Sequence, residues 1–367
     1  MSKHLYVHIP FCTHICAFCD FFRVPYQEKL ADSYLLELEK ELQGYVDRGI
    51  LSQVDTLYIG GGTPSALTYS ELERLLKILS PYVTEHTEYT LEANPEHIED
   101  SKVKLLRSYG VNRISLGIQC LQDDILTYVN RKHTATQALD AIDIIYNNGI
   151  TNISADMIYG LPKQTTKQFI EDLEVLTHTK LTHISMYSLT IEENSAFGRA
   201  HQELVDNELE GEMYEKGRDL LELNGFHQYE VANYAREERY ESMHNKGYWL
   251  FHDYVGAGMG AVGYIDGVRY ENTRNFQTYL NGEYILESTK ESQEEQIFLM
   301  LMMGLRLKKG IRIQDINERF SISFKERYKD AIGKHIALGN ISIQDGYMAT
   351  TPKGMEILHD ILLDFMD

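Results

Sequence analysis

The stretch Lys3-His-Leu-Tyr-Val-His-Ile-Pro-Phe-Cys12-Thr-His-Ile-Cys16-Ala-Phe-Cys19 decides how the rest of the chain is read. Lys3 to Pro10 has the apolar composition of a first strand. It runs straight into a loop holding three of the four cysteines, spaced Cys-x3-Cys-x2-Cys. Three thiolates from one short loop can ligate three irons of a cubane cluster and leave the fourth iron open for a ligand. The alternative is a structural zinc with His8 or His14 as fourth ligand, although zinc sites more often use two spaced ligand pairs. Cys120, the fourth cysteine, reads as a small buried apolar residue.

Outward from that loop, short apolar runs alternate with helical periodicity as far as residue 190. Strands are expected at Leu5–Ile9, Val54–Ile59, Glu88–Ala93, Arg113–Gly117, Ile153–Ile158 and His183–Leu189. Between them Leu30, Tyr34, Leu38, Leu42 and Tyr45, and then Leu72, Leu75, Leu76 and Leu79, recur at helical spacing. Thr68-x-x-Glu71, Thr134-x-x-Gln137 and Thr165-x-x-Gln168 are capping-box patterns, and Gly110 and Gly149 fall where helices should end. Six βα units in succession imply an α/β fold with a parallel sheet. Six are too few for the usual eight-fold closure, so a partial (β/α)6 barrel is expected, with ligands at the C-terminal ends of its strands. The cysteine loop lies on that edge. Residues 1–200 form this unit. Residues 201–290 break the alternation and form an extension, including a helix from Leu204 to Leu223. Residues 291–367 form a small helical, winged-helix-like domain, with a hairpin at Ile341–Thr350 and a last helix from Pro352 to Phe365.

Composition narrows the function. The 367 residues carry a net charge of −20, from 35 basic and 55 acidic residues, which works against binding a phosphate backbone or an anionic membrane. Nucleic acid is therefore not an expected partner. No apolar run is long enough to span a bilayer and no basic-then-apolar leader opens the sequence. A cytoplasmic location follows, where clustered thiols stay reduced and serve as ligands.

Other residues align with the cysteine loop. Gly60-Gly-Gly-Thr-Pro-Ser65 directly follows the second strand, and the main chain at Gly61, Gly62 and Thr63 is open to a ligand, or is simply a tight turn. Glu92, Gln119 and Asp156 stand at predicted strand ends, where buried charge needs a partner or ligand. Each alone suits a satisfied structural group; together on one edge they suggest a site. Arg131 could pair with a carboxylate or be solvated. His244-Asn245-x-x-Tyr248-Trp249 combines iron-ligand residue types with aromatic stacking surface, although an isolated histidine is more often a satisfied imidazole.

Together, Tyr6-Val-His-Ile-Pro-Phe-Cys12-x3-Cys16-x-Phe18-Cys19, Gly60-Gly-Gly-Thr-Pro64, Asn112-Arg-Ile-Ser-Leu-Gly-Ile-Gln119 and Asp156-Met-Ile-Tyr-Gly-Leu-Pro162 resemble the radical S-adenosylmethionine enzymes. The resemblance covers essentially the whole chain. It is narrowest to the branch of coproporphyrinogen dehydrogenases (HemN) and haem chaperones (HemW). It implies a 4Fe–4S cluster on Cys12, Cys16 and Cys19, with S-adenosylmethionine chelating the open iron. Reductive cleavage of that cofactor yields methionine and a 5′-deoxyadenosyl radical in such enzymes. It implies Phe18 against adenine, the Gly61, Gly62 and Thr63 backbone on the methionyl group, and Tyr6, Glu92, Gln119, Arg131 and Asp156 on the remaining polar atoms of one or two cofactor molecules. The cofactor carries the reactivity, and no side chain is singled out as catalytic.

Two departures choose a side of the branch. Phe21 stands where the dehydrogenases have a further cysteine, and the N-terminal extension of the dehydrogenases has no counterpart before the first strand. His244-Asn-x-x-Tyr-Trp249 resembles the HNxxY haem-binding motif of the chaperones. That side implies a carrier that takes haem as cargo and passes it to respiratory haem proteins, peripherally at the inner face of the membrane. It also implies an electron donor and admits a homodimer. His244 is the favoured axial ligand of the haem iron, Asn245 lies beside it, and Tyr248 lines the haem or ligates it. Oxidative decarboxylation of coproporphyrinogen III is the alternative function.

Overall fold

The computed structural model describes residues 2–366. Six parallel strands form where the apolar runs predict them: β1 (His4–Ile9), β2 (Thr56–Gly61), β3 (Glu88–Ala93), β4 (Arg113–Gln119), β5 (Asn152–Tyr159) and β6 (His183–Ser188). Each pairs in parallel with the next, and helices fill the connections. The period of two along each strand sorts the side chains. Leu5, Val7, Ile9, Leu57, Ile59, Leu91, Ile114, Leu116, Ile153 and Ile184 are fully buried in one core, with Leu35, Leu38, Leu75 and Ile142 from the helices. The intervening positions are polar, and they build the site.

All three predicted capping boxes form: Thr68 with Glu71, Thr134 with Gln137 and Thr165 with Gln168. A fourth, Ser292 with Glu295, opens the C-terminal domain.

Residues 201–290 are spread over both edges of the sheet. The helix expected from Leu204 starts at Asn207, because Asp206 caps it through the Leu209 N–H. After it, β7 (His227–Gln228) and β8 (Asn233–Ala235) form an antiparallel pair beside β6. The chain then crosses to the opposite edge. There β9 (Tyr254–Ala257) lies parallel to β1, and β10 (Val262–Ile265), β11 (Val268–Asn272) and β12 (Ile285–Lys290) follow antiparallel. The twelve strands run β12-β11-β10-β9-β1-β2-β3-β4-β5-β6-β8-β7, with no pairing between the two ends. The barrel is partial, as the repeat count predicts.

The C-terminal domain has its own core, in which Ile297, Leu301, Ile316, Phe324, Met348 and Phe365 meet. Its three-stranded sheet joins Ile311–Arg312 to the hairpin Ile341–Gln344 and Tyr347–Thr350. The last helix is two helices, Pro352–Glu356 and Leu358–Leu363. Gly354 lies so close to the Asn340 carbonyl that a Cβ there would overlap it. The first turn is thereby pinned to the hairpin, and the chain breaks at Ile357 before burying Ile361 and Leu362.

Candidate functional site

The cysteine loop forms one wall of a cavity of about 660 Å³ at the C-terminal ends of the strands. Cys12, Cys16 and Cys19 all line it, with free thiols. Cys12 is buried, its Sγ 3.4 Å from Thr63 Oγ1. Burial pushes its thiol up to about 11 and raises that of Cys19. Such thiols need a cation to become thiolates. Arg131, nearly buried, donates to Cys16 Sγ at 3.5 Å and to Asn94 Oδ1 at 2.9 Å, and also bonds the Gly117 carbonyl. Among the described residues no three His, Cys, Asp or Glu side chains stand gathered at metal-holding distance. The thiols share a wall rather than a finished coordination shell. The donor set nonetheless suits a soft iron–sulfur centre: three sulfurs, an adjacent guanidinium and a cavity in front.

The Gly60 to Thr63 turn faces the loop. Gly61 has φ +115°, and a Cβ there would lie 2.8 Å from the His8 ring. At Gly62 a Cβ would meet the Pro10 and Phe11 carbonyl oxygens at 2.8 and 2.9 Å. Only glycine lets these backbones approach so closely. Glu92 braces the turn, accepting from the Gly61 N–H at 3.1 Å and from the Tyr58 hydroxyl at 2.9 Å. Burial pushes its carboxyl up to about 7, and the neighbouring Asp156 adds to the rise. Asp156 accepts from Ser115 Oγ at 3.1 and 3.2 Å, and burial raises its carboxyl too. Gln119 lines the cavity from a left-handed backbone, φ 70°, where the strand register slips by one residue. Phe18 borders the cavity and packs beside Cys120, Leu126 and Phe197. Phe18, Gly61, Gly62, Thr63, Glu92, Gln119, Arg131 and Asp156 therefore share one cavity with the thiols.

Tyr6 does not join them. Its hydroxyl is 3.0 Å from His8 Nδ1, its ring stacks on Tyr58, and it lines a second cavity of about 300 Å³. That cavity is bounded also by His8, Phe22, Tyr248, Tyr254, Val262 and Arg274, and shares Asp20 and Phe21 with the first.

The helix Met243–Trp249 divides the predicted haem residues. Ser242 caps it and the Glu88 carboxylate accepts from the Met243 and His244 N–H groups. Asn245 faces the first cavity and Tyr248 the second. His244 borders neither. It is 2% exposed, its Nδ1 is 2.7 Å from Thr56 Oγ1, its Nε2 is 2.8 Å from Tyr248 Oη, and its ring stacks on Tyr58. Burial, then the nearby His4, holds the imidazole down to about 3, so it is neutral. The favoured axial ligand of the sequence is thus a doubly hydrogen-bonded core histidine. Its i, i+4 partner Tyr248 takes the cavity side.

The sequence reading missed Tyr58, Arg113, Ser115 and Ser185, all lining the first cavity. Arg113 is 2% exposed and donates to Asn152 Oδ1 at 2.8 Å. The signal was present: polar residues two apart, alternating with aliphatics, in each of these strands.

A three-thiol loop at the C-terminal edge of a mostly parallel, open sheet defines a class of protein. Residues 6–176 match the radical SAM superfamily and residues 292–357 match the HemN C-terminal domain. The structure of coproporphyrinogen III oxidase (HemN) from Escherichia coli superposes with a TM-score of 0.86, covering 99% of this chain and 89% of that one, at 22% identity. The haem chaperone HemW of Lactococcus lactis is 35% identical over 98% of this chain and 96% of its own. The Bacillus subtilis haem chaperone HemW is 32% identical over 99% of both chains. That of Escherichia coli is 30% identical over 99% of this chain and 97% of its own. The chain belongs to the haem chaperone HemW family of the radical SAM superfamily.

Proposed function

We propose that this protein is a haem carrier that holds a 4Fe–4S cluster on Cys12, Cys16 and Cys19 and S-adenosylmethionine in the larger cavity. It receives haem and releases it to respiratory haem proteins, working in the cytoplasm or peripherally at the membrane face. Among the described residues no helix is long and apolar enough to cross a membrane. The observation that carries the cofactor part is the meeting of three free thiols, the Gly61–Thr63 turn and Glu92 in one cavity. Nearly full-length kinship with haem chaperones carries the haem part. Bound cofactor would supply one-electron chemistry. The chain's part is to orient: the turn offers main-chain groups, Glu92 and Asp156 offer acceptors, Phe18 an apolar face, and Arg131 a positive charge beside the sulfurs.

The test is anaerobic. Reconstituted protein is expected to hold about four irons and four sulfides. Replacing Cys12, Cys16 and Cys19 together by alanine should abolish this. Haemin should bind one-to-one, with a Soret shift. Turnover of coproporphyrinogen III to protoporphyrinogen IX by the same preparation would replace the carrier reading with the dehydrogenase one.

A further inference from the structure

Arg113 stands at the deep end of the larger cavity, and one edge of its guanidinium has no partner. It is 2% exposed, yet it lines that cavity together with Ser115, Asp156 and Ser185. Its Nη1 donates to Asn152 Oδ1 at 2.8 Å and to the Tyr240 carbonyl at 3.3 Å. Nε is buried without an acceptor, and among the described residues no protein group takes a hydrogen bond from Nη2. Nε and Nη2 form the side-on fork of the guanidinium, which matches the two oxygens of a carboxylate. Thr90 on β3 lies opposite Arg113 in the parallel register, and its Oγ1 is likewise buried without a partner.

No described acidic side chain fills that fork. Asp156 feels the Arg113 charge but accepts from Ser115 Oγ at 3.1 and 3.2 Å. Glu88, two residues before Thr90, accepts from the Met243 and His244 N–H groups. His183 is held on both ring nitrogens, by Ser154 Oγ at 2.7 Å and Tyr229 Oη at 2.8 Å. A buried guanidinium with an unpaired edge is costly, and an arriving anion offsets that cost.

Strand geometry sets this fork apart from the groups around the thiols. Arg131, beside Cys16, bonds the carbonyl of Gly117, four residues beyond Arg113 on β4. At 3.3 Å per residue, Gly117 is about 13 Å further along the strand. One end of the cavity thus presents thiols, the glycine turn and Arg131. The other presents Arg113 with the hydroxyls of Ser115 and Ser185. No lysine lines the cavity among the described residues, and Asp156 shares its wall. A single fork facing a carboxyl group suits a monoanion; the second charge of a phosphate would meet Asp156 without a second cation.

We propose that the deep end of the larger cavity binds a small monocarboxylate on the Nε–Nη2 edge of Arg113. This rests on the cofactor placement proposed above and names a second class of ligand for the same cavity. The body of the acid extends past Ser115 and Ser185, so its far end faces the cofactor end.

The experiment uses the full chain with its cluster reconstituted, with and without saturating S-adenosylmethionine. The probe is butyrate labelled with carbon-13 at its carboxyl, followed by line broadening and calorimetry. Iron content and circular dichroism report loading and folding. Butyrate is expected to bind saturably, with S-adenosylmethionine present or absent. R113Q should weaken it roughly tenfold or more, and so should R113K, which keeps the charge and loses the fork. Both variants should load iron like the wild type. Butyramide, of the same shape without the charge, should also bind roughly tenfold or more weakly than butyrate. Equal binding of acid and amide overturns the proposal, a result that still decides if both Arg113 variants fail to fold. Wild-type affinity in R113Q overturns it too, as does a wild type that binds no butyrate. Inorganic phosphate binding more tightly than butyrate overturns the carboxylate class. Displacement of butyrate by S-adenosylmethionine puts the acid at the cofactor end and overturns the separate site. A chain that loads no cluster sinks the cofactor placement instead, whatever butyrate does.

Discussion

At the scale of single residues, burial raises the carboxyls of Glu92 and Asp156 and the thiols of Cys12 and Cys19, which favours their neutral forms. Glu92 illustrates this. Its carboxyl titrates near 7 in the folded chain, above its ordinary value, because burial disfavours the anion. A folded-state pKa raised above the unfolded one makes stability fall as pH rises between the two, here from about 4.5 to about 7. The full effect is bounded at roughly 3 kcal/mol. Urea unfolding at pH 5 and pH 8 should show a loss in the wild type that is smaller in Glu92→Gln; parallel losses would mean that Glu92 carries no burial penalty. Gly62→Ala should cost roughly 1–3 kcal/mol, because its Cβ meets two backbone carbonyls that cannot swing aside. It should also impair S-adenosylmethionine binding, measurable by calorimetry. The cysteines and glycines were legible in the sequence because each set is contiguous. Arg113, Ser115 and Ser185 carried a polar alternation in their strands, but only the parallel register shows that they meet at one cavity. The spacing of His244 and Tyr248 announced a shared helix face; which of them meets the cavity was decided by Thr56, 188 residues from His244.

At the scale of elements, strand and helix positions were read well where local chemistry is self-sufficient. The Thr134 hydroxyl accepts from the Gln137 N–H while the Gln137 side chain accepts from the Thr134 N–H, and Asp123 accepts from the Ala135 N–H at 2.8 Å, so the start of Ala135–Asn147 is fixed by nearby chain. Thr134→Ala should therefore destabilise the fold by about 1 kcal/mol in denaturant unfolding, without changing cofactor binding. The strand Tyr254–Ala257 was not legible: Gly256, Ala257 and Gly258 have poor strand propensity, and its position comes from pairing with His4 to Val7. The glycine at 256 is required there, since a Cβ would overlap the Val262 carbonyl of the adjoining strand. The single last helix expected from Pro352 to Phe365 is two, broken at Ile357, with Gly354 of the first held against the Asn340 carbonyl.

At the scale of the whole molecule, two cores meet where Phe251 and Tyr264 reach into the C-terminal domain and Arg319 bonds the Phe251 carbonyl at 2.7 Å. The same segment carries His252 and leads into β9, so the domain buttresses the edge that supports the second cavity. Arg319→Ala should lower thermal stability, read as a lower melting temperature, and leave the iron and sulfide content of the reconstituted protein unchanged. The pairing of β1 with Tyr254–Ala257 has a further consequence, for the order of biosynthesis. The strand that carries the cysteine loop leaves the ribosome well before its second parallel neighbour, whose paired residues follow 250 positions later (His4 with Tyr254). At 5–20 residues per second the edge stays bare for about 10 to 50 seconds. A nascent chain halted before residue 254 should be far more protease-sensitive around residues 4–25 than the released protein. Iron and sulfide, delivered early, would meet a ligand loop whose supporting wall had not yet been made.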